Sequence, residues 1–174
     1  MIRKQFLLLP GAVPAAIIAF LVCVHAARLF GFVALPPDDT AERLGFAVRW
    51  LLLPGLTLWA GVQFAGRRGF YPGLIDGARD PSNHGFEINL RQNTNTLEQV
   101  VLAAIAWSGL ALALPQERLV LIPAMAFLFV AGRITFWIGY FINPLARSFG
   151  MVLTALPTIG AYAWLVWRMI GPAP

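Results

Sequence analysis

Five long apolar segments constrain this sequence more than any other feature. Each is close to or above the ~20 residues that an α-helix needs to cross the hydrocarbon core of a bilayer. Most of these segments leave a helix without a polar face to turn toward water, so soluble packing is disfavoured. The segments are 6–32, 45–65, 90–114, 119–142 and 145–169. The sequence therefore predicts an all-α helical bundle with five membrane spans.

The composition agrees with membrane residence. Of the 174 residues, 59% are apolar and 12% are charged, whereas a soluble domain averages roughly 45–50% apolar and about 25% charged residues. Prolines mark the breaks between segments at Pro36–Pro37, Pro115 and Pro144, where they block the continuation of a helix. Pro54 and Pro157 lie inside segments and predict kinks, because neighbouring helices in a bundle can satisfy the freed carbonyl groups.

The first span raises the question of a signal peptide. Its apolar run exceeds the roughly 7–15 residues of a signal core, so we interpret residues 1–36 as a retained membrane anchor. Five spans place the N-terminus, the 66–89 loop and the 143–144 turn on one side, and that side carries most of the Lys and Arg residues outside the spans. The positive-inside rule then predicts a cytoplasmic N-terminus. We expect an integral multi-pass protein of a bacterial inner membrane.

The net charge of +5 is explained by this topology. No basic run with interleaved aromatic residues lies outside the membrane, so we expect no nucleic-acid partner. The two histidines, His25 and His84, are isolated, and a metal site is not expected.

Polar residues inside the spans form the candidate site. Arg91, Asn95 and Glu98 are spaced i, i+4 and i+7, which puts them on one face of the third span. Arg133, Tyr140 and Arg147 repeat this at i, i+7 and i+14, and Arg67 and Arg68 close the second span on the same side of the membrane.

An ion inside the membrane costs from about 2.5 to more than 10 kcal/mol, so such side chains usually face a bundle interior or a wet cavity. Arginines outnumber acids at this level, and the excess positive charge favours an anionic ligand. An alternative is purely structural. Glu98 would pair with Arg133 or Arg91, and Arg67, Arg68 and Arg147 would reach toward lipid phosphates.

Three stretches of the sequence resemble the MAPEG family, the membrane-associated proteins in eicosanoid and glutathione metabolism. QFAGRRGF at 63–70 resembles the end of that family's first helix, with its paired arginines. RQNTNTLE at 91–98 is similar to its second-helix signature of arginine, asparagine and glutamate. Gly132 and Arg133 through Tyr140 to Arg147 resemble its third helix and the arginine that follows.

The resemblance implies a four-helix bundle over residues 45–171 that forms a homotrimer, with glutathione bound between subunits near the cytoplasmic face. Residues 1–36 would then be an additional transmembrane helix. The implied ligand contacts use Arg91 with Arg67 or Arg68 for the glutathione carboxylates, Glu98 for its ammonium, and Asn93 and Asn95 for its peptide groups. Arg133 belongs to the same set, Tyr140 would orient the tripeptide, and Arg147 would be the catalytic residue that stabilises the thiolate.

The sequence also departs from the family pattern. Gln99 follows the glutamate where many members have an aromatic residue, and Phe136 stands where tyrosine or histidine is frequent. Ser148, next to Arg147, offers either a hydroxyl to the site or a helix N-cap, and we favour the N-cap. Two functions remain open. One is a glutathione-dependent transferase or peroxidase that acts on lipophilic small molecules from the bilayer. The other is a non-catalytic scaffold or accessory subunit of a larger membrane complex.

Overall fold

A computed structural model describes residues 2–29, 31, 33–70, 74, 84–142 and 147–171. This part of the chain contains no strand, and all of its five long helices are apolar enough to cross a membrane. The helices are α1 (Ile2–Leu29), α2 (Thr40–Gly66), α3 (His84–Ala113), α4 (Leu121–Ile142) and α5 (Arg147–Ile170).

These helices confirm the predicted all-α membrane bundle. The protein is an integral multi-pass membrane protein, and its outer faces contact lipid. α2 continues through Pro54 and α5 through Pro157, so neither internal proline ends its helix. The predicted turn at Asn143 and Pro144 lies outside the described residues, as does Arg79.

The start of α2 is fixed by capping. The Asp39 side chain accepts hydrogen bonds from the backbone N–H groups of Ala41 (2.9 Å) and Glu42 (3.0 Å). Carboxylates at this end also suit the positive end of the helix dipole. Arg43, one turn into α2, donates through Nη1 to the carbonyl oxygens of Ala111 (3.2 Å) and Leu114 (2.8 Å). The beginning of α2 is thereby tied to the end of α3.

The core lies where α3 crosses α4. Trp107 and Phe129 are fully buried and meet edge to face, with ring centroids 6.3 Å apart. Alanines at 103, 106 and 111 are completely buried on α3. Small residues of this kind let membrane helices approach closely, which matters where the surrounding lipid is as apolar as the helix.

α1 packs against the outside of α4 and α5. Val24 and Ala27 form one buried cluster with Val120 and Ala124. Ala16 forms another with Leu128 and Leu153. The first helix therefore covers the side of the bundle away from α2.

Two glycines bring α4 and α5 together near the cytoplasmic end that the sequence predicts. A Cβ on Gly132 would come within 2.9 Å of the Gly150 carbonyl oxygen, and a Cβ on Gly150 would overlap the backbone of Phe136. This close crossing sets the side chains of α4 directly against the first turns of α5.

Candidate functional site

Arg133 is the most deeply buried charged side chain of the described residues, with 2% of its surface exposed. Its Nη1 donates to Asn95 Oδ1 (2.7 Å) and its Nε donates to Thr154 Oγ1 (3.3 Å). Nη2 lies 3.8 Å from the sulfur of Met151. Arg133 forms no ion pair with any described carboxylate, so its positive charge is met only by neutral groups.

Aromatic rings extend this arrangement toward α5. The guanidinium carbon of Arg133 lies 4.4 Å from the Phe136 ring centroid. Phe136 meets Tyr140 edge to face, with 5.1 Å between centroids, and the guanidinium carbon of Arg147 lies 4.6 Å from the Tyr140 ring centroid. The negative faces of the two rings stabilise the two cations.

A cavity of about 280 Å³ opens beside these groups between α3, α4 and α5. We call it the arginine cavity. Its lining consists of Asn95, Phe136, Tyr140, Arg147, Ser148, Met151 and Val152. One arginine and no carboxylate occur in this lining, and the volume is near the lower end of the roughly 300–1,000 Å³ that ligand sites occupy. The cavity therefore suits a small ligand with negative charge.

A second space, the apolar cavity, lies on the other side of Arg133. It measures about 310 Å³ between α2, α3 and α4, and its lining includes Leu53, Phe64, Val130 and Arg133. Arg133 thus lines the apolar cavity and donates a hydrogen bond to Asn95, which lines the arginine cavity.

Arg91 and Glu98 flank Asn95 on the same face of α3 but remain exposed. Arg91 pairs with Glu87 at 2.7 Å, and 66% of its side chain is accessible. Glu98 has no ion pair within the described part of the chain. The structural alternative predicts that Glu98 pairs with Arg133 or Arg91. The chain forms neither of these ion pairs.

The sequence model of the MAPEG family matches residues 11–167 of the chain. The chain belongs to the MAPEG family. Transmembrane protein 79 of Mus musculus is 27% identical over 88 residues, which are 51% of this chain and 22% of the mouse protein. The chain thus spans about a fifth of the length of that relative. No solved structure matches.

The MAPEG match begins inside α1, so it includes much of the helix that the sequence suggested was additional. The predicted division into 1–36 and 45–171 stays a prediction, as does the cytoplasmic orientation of the N-terminus. No group of three His, Cys, Asp or Glu side chains that could hold a metal ion occurs among the described residues.

The paired arginines of this MAPEG chain lie apart from the arginine cavity. The guanidinium carbon of Arg67 lies 4.5 Å from the Phe64 ring centroid. Arg68 donates through Nε to the Leu74 carbonyl oxygen at 2.7 Å. Arg67 therefore packs within the end of α2, whereas Arg68 also lies 5.9 Å from the Phe86 ring centroid of α3. Neither side chain lines the cavity.

Asn93 lies between α3 and α2. Its Nδ2 donates to the Gly61 carbonyl oxygen at 2.9 Å, and Gly61 lies so close that a Cβ there would overlap the amide. This contact joins α3 to α2, on a different face of α3 from Asn95. Within the single chain, Asn93 is a packing residue.

The structure thus brings together Asn95, Arg133, Tyr140 and Arg147, and leaves Arg67, Arg68, Arg91, Asn93 and Glu98 outside the cavity. Sequence reasoning missed Met151 and Thr154, which contact Arg133 from α5. Their spacing from Arg147, at i+4 and i+7, could have placed them on its helix face. The interpretation of Ser148 as an N-cap is wrong, because Ser148 is the second residue of α5 and lines the cavity.

Proposed function

We propose that the protein is a glutathione-dependent membrane transferase or peroxidase that acts on lipophilic electrophiles. The observation that carries this proposal is the arginine cavity, in which Arg147 lies over Tyr140 beside the Arg133–Asn95 pair with no carboxylate in the described lining. Glutathione carries two carboxylates and a thiol, so it supplies the negative charge that this lining leaves unmatched.

Arg147 would be the catalytic residue. A thiol with a pKa of about 8.5 is mostly protonated at neutral pH, and an adjacent guanidinium group favours the thiolate. The thiolate sulfur forms a bond to an electrophilic carbon, and the electron pair of the broken bond leaves with the departing group. With a hydroperoxide, the thiolate sulfur bonds to the terminal oxygen as the O–O bond breaks, and the other oxygen leaves as an alkoxide that is protonated to the alcohol. The thiol of a second glutathione then attacks the resulting sulfenic acid and gives the disulfide and water.

The remaining contacts would position the tripeptide. Asn95 and Tyr140 offer hydrogen bonds beside the cavity, and Arg133 fixes the Asn95 amide through its own bond to Oδ1. Glu98 would bind the glutathione ammonium and Arg91 a carboxylate, since both are exposed next to Asn95. The lipophilic substrate would arrive from the bilayer at the arginine cavity, where Arg147 would hold the thiolate.

Glu98 supports an assembly of subunits, and the MAPEG resemblance implies that this assembly is a homotrimer. Exposed apolar side chains on a membrane helix can face lipid, so they say nothing about assembly. An exposed carboxylate half-way along α3 is costly in lipid, and this cost is relieved if a neighbouring subunit or a ligand covers it. Arg67 and Arg68 do not line the cavity of their own chain. In such a trimer they would reach ligand bound by a neighbouring subunit.

The second candidate is a non-catalytic scaffold or accessory subunit. It is favoured by Phe136, which lines the cavity with a phenyl ring and offers glutathione no hydrogen bond. Under this proposal the bundle would serve for interaction within a larger membrane complex.

Calorimetric titration of glutathione into the detergent-solubilised protein separates the two candidates. We expect saturable binding below millimolar concentration, and loss of that binding in Arg147→Gln and Glu98→Gln. Arg49→Gln is the matched control, because Arg49 is an exposed arginine of α2 that lines neither cavity. An absence of binding at millimolar glutathione would leave the scaffold as the function.

A further inference from the structure

A third cavity lies at the opposite end of the bundle from the arginine cavity. It measures about 430 Å³ and is bounded by α1, α3, α4 and α5. We call it the α1 cleft. Most of its lining is apolar, including Phe20, Met125, Leu156 and Trp164. Its volume lies within the roughly 300–1,000 Å³ range of ligand sites.

α1 makes one wall of this cleft. Ala16, Ile17 and Phe20 line it from the first helix, and Pro157, Gly160 and Ala161 line it from α5. Ile17 is 46% exposed and Gly160 is also exposed, so the cleft opens between α1 and α5 toward the surrounding bilayer. A cavity with apolar walls holds water poorly. The chemistry of the cleft therefore matches a hydrocarbon chain.

Arg118 supplies the one charged side chain of the described lining. It lies in the short turn between α3 and α4, at the end of the spans where an interface is expected, and it is exposed. Its guanidinium group has no hydrogen bond or ion pair within the described part of the chain, although Glu117 precedes it. Arg168 lies at the same end and stacks on Trp164, 5.4 Å from guanidinium carbon to ring centroid.

We propose that the α1 cleft binds an anionic phospholipid, with one acyl chain between α1 and α5 and the phosphate on Arg118. A guanidinium group matches a phosphate through two parallel hydrogen bonds. Phosphatidylcholine also offers a phosphate, but its quaternary ammonium cancels the net charge of the headgroup beside Arg118, whereas an anionic lipid leaves that charge to pair with the guanidinium group. A water-soluble phosphate leaves the apolar walls unfilled. This inference does not depend on glutathione binding, and it gives α1 a function of its own.

Native mass spectrometry tests the proposal. The full-length protein is reconstituted in nanodiscs of equal phosphatidylglycerol and phosphatidylcholine and then released in mild detergent. We expect wild type to retain phosphatidylglycerol in preference to phosphatidylcholine. Arg118→Gln should lower that preference about tenfold, because it removes the positive charge that favours a lipid of net negative charge. Arg49→Gln makes the same change of net charge away from the cleft, and we expect it to behave like wild type.

A second variant fills the cleft. A side chain at Gly160 would begin in open space, with no atom within 4 Å of its Cβ, and Gly160 lines the cleft, so Gly160→Leu extends a side chain into the site. We expect this variant to lose the retained lipid. Gly55→Leu is the control, because Gly55 of α2 is equally unobstructed and lies outside the cleft.

Three outcomes would overturn the proposal. They are no lipid preference in wild type, an unchanged preference in Arg118→Gln, and undiminished retention in Gly160→Leu. Because the side chain of Arg118 has no intramolecular partner among the described residues, its replacement is expected to leave the fold intact. The charge variant therefore stays informative even if the filled variant is unstable.

Discussion

Arg43 and Arg133 are both buried, with 8% and 2% of their surfaces exposed, but their partners differ in kind. Arg43 caps α3 by donating to the carbonyl oxygens of Ala111 and Leu114, and it pairs with Asp38 at 2.8 Å. Arg133 meets an amide, a hydroxyl, a sulfur atom and two rings, and its neighbours line an open cavity.

The difference separates a structural arginine from a candidate functional one. Helix-end carbonyls carry partial negative charge and have no partners within their own helix, so a cation there stabilises the fold. Neutral partners beside an open cavity leave positive charge available to a ligand. Burial alone therefore does not distinguish the two roles, whereas the identity of the partners does.

The largest expected effect is on catalysis, from replacement of Arg147. Arg147 lies over Tyr140, which contacts Phe136 and through it Arg133. Arg147→Gln should lower kcat/KM for conjugation of glutathione to chlorodinitrobenzene about 100-fold, which is typical of losing one group that stabilises developing or full negative charge. The melting temperature should stay near that of wild type, because the described contact of Arg147 is with the face of Tyr140. Arg147→Lys, which keeps the charge, should recover part of the rate. Equal rates in all three proteins would remove Arg147 from the chemistry.

Arg43→Met should lower the free energy of unfolding by about 2 kcal/mol, because two buried carbonyl groups lose a charged donor. Denaturant unfolding in detergent measures this change. Glutathione affinity of the folded protein should not alter, since Arg43 lies at the other end of the bundle from the arginine cavity. Arg49→Met, on the same helix but exposed, is the control and should stay within about 0.5 kcal/mol of wild type.

Arg133→Met should give the opposite pattern. Removing a buried cation that has no carboxylate partner also removes the cost of burying it. Asn95 lines an open cavity where water can replace the lost bond, and Thr154 keeps its hydrogen bond to the Gly150 carbonyl oxygen. The free energy of unfolding should therefore change by less than about 1 kcal/mol. Glutathione affinity should fall about tenfold, because Asn95 loses the bond that orients its amide. The two methionine variants are compared by calorimetry and denaturant unfolding on the same samples. A destabilisation equal to that of Arg43→Met would make Arg133 structural as well.

Hydropathy and proline placement were sufficient to predict the five helices, because each span must satisfy its backbone hydrogen bonds internally. The predicted spans and the observed helices differ mainly at their ends. α2 starts at Thr40, before the apolar run, because Asp39 caps it. α3 starts at His84, several residues before the apolar run, so its first two turns contain many polar residues. Hydropathy does not report such polar first turns.

The candidate site was predictable only in part. Helical spacing placed Arg133, Tyr140 and Arg147 along one line, and the structure does bring them together. The same spacing rule grouped Arg91 and Glu98 with Asn95, yet only Asn95 reaches the cavity. Spacing fixes which face of a helix a residue occupies, but burial of that face depends on neighbouring helices. The role of Arg43 was likewise missed, since its carbonyl partners lie 68 and 71 residues away in the chain.

The smallest expected effect tests which partner of Arg43 matters. The Asp38 side chain is 83% exposed. Exposed ion pairs contribute about 0–1 kcal/mol to stability, because water and salt screen them. Asp38→Asn should therefore lower the free energy of unfolding by less than about 1 kcal/mol, and salt should reduce the difference further. Both proteins can be unfolded in denaturant at low and high salt, with Asp39→Asn as a neighbouring control that keeps an N-cap acceptor. A loss as large as that of Arg43→Met would show that the carboxylate holds Arg43 in place. The contrast with Arg133 would then rest on the ion pair alone, because the α3 carbonyls would contribute little.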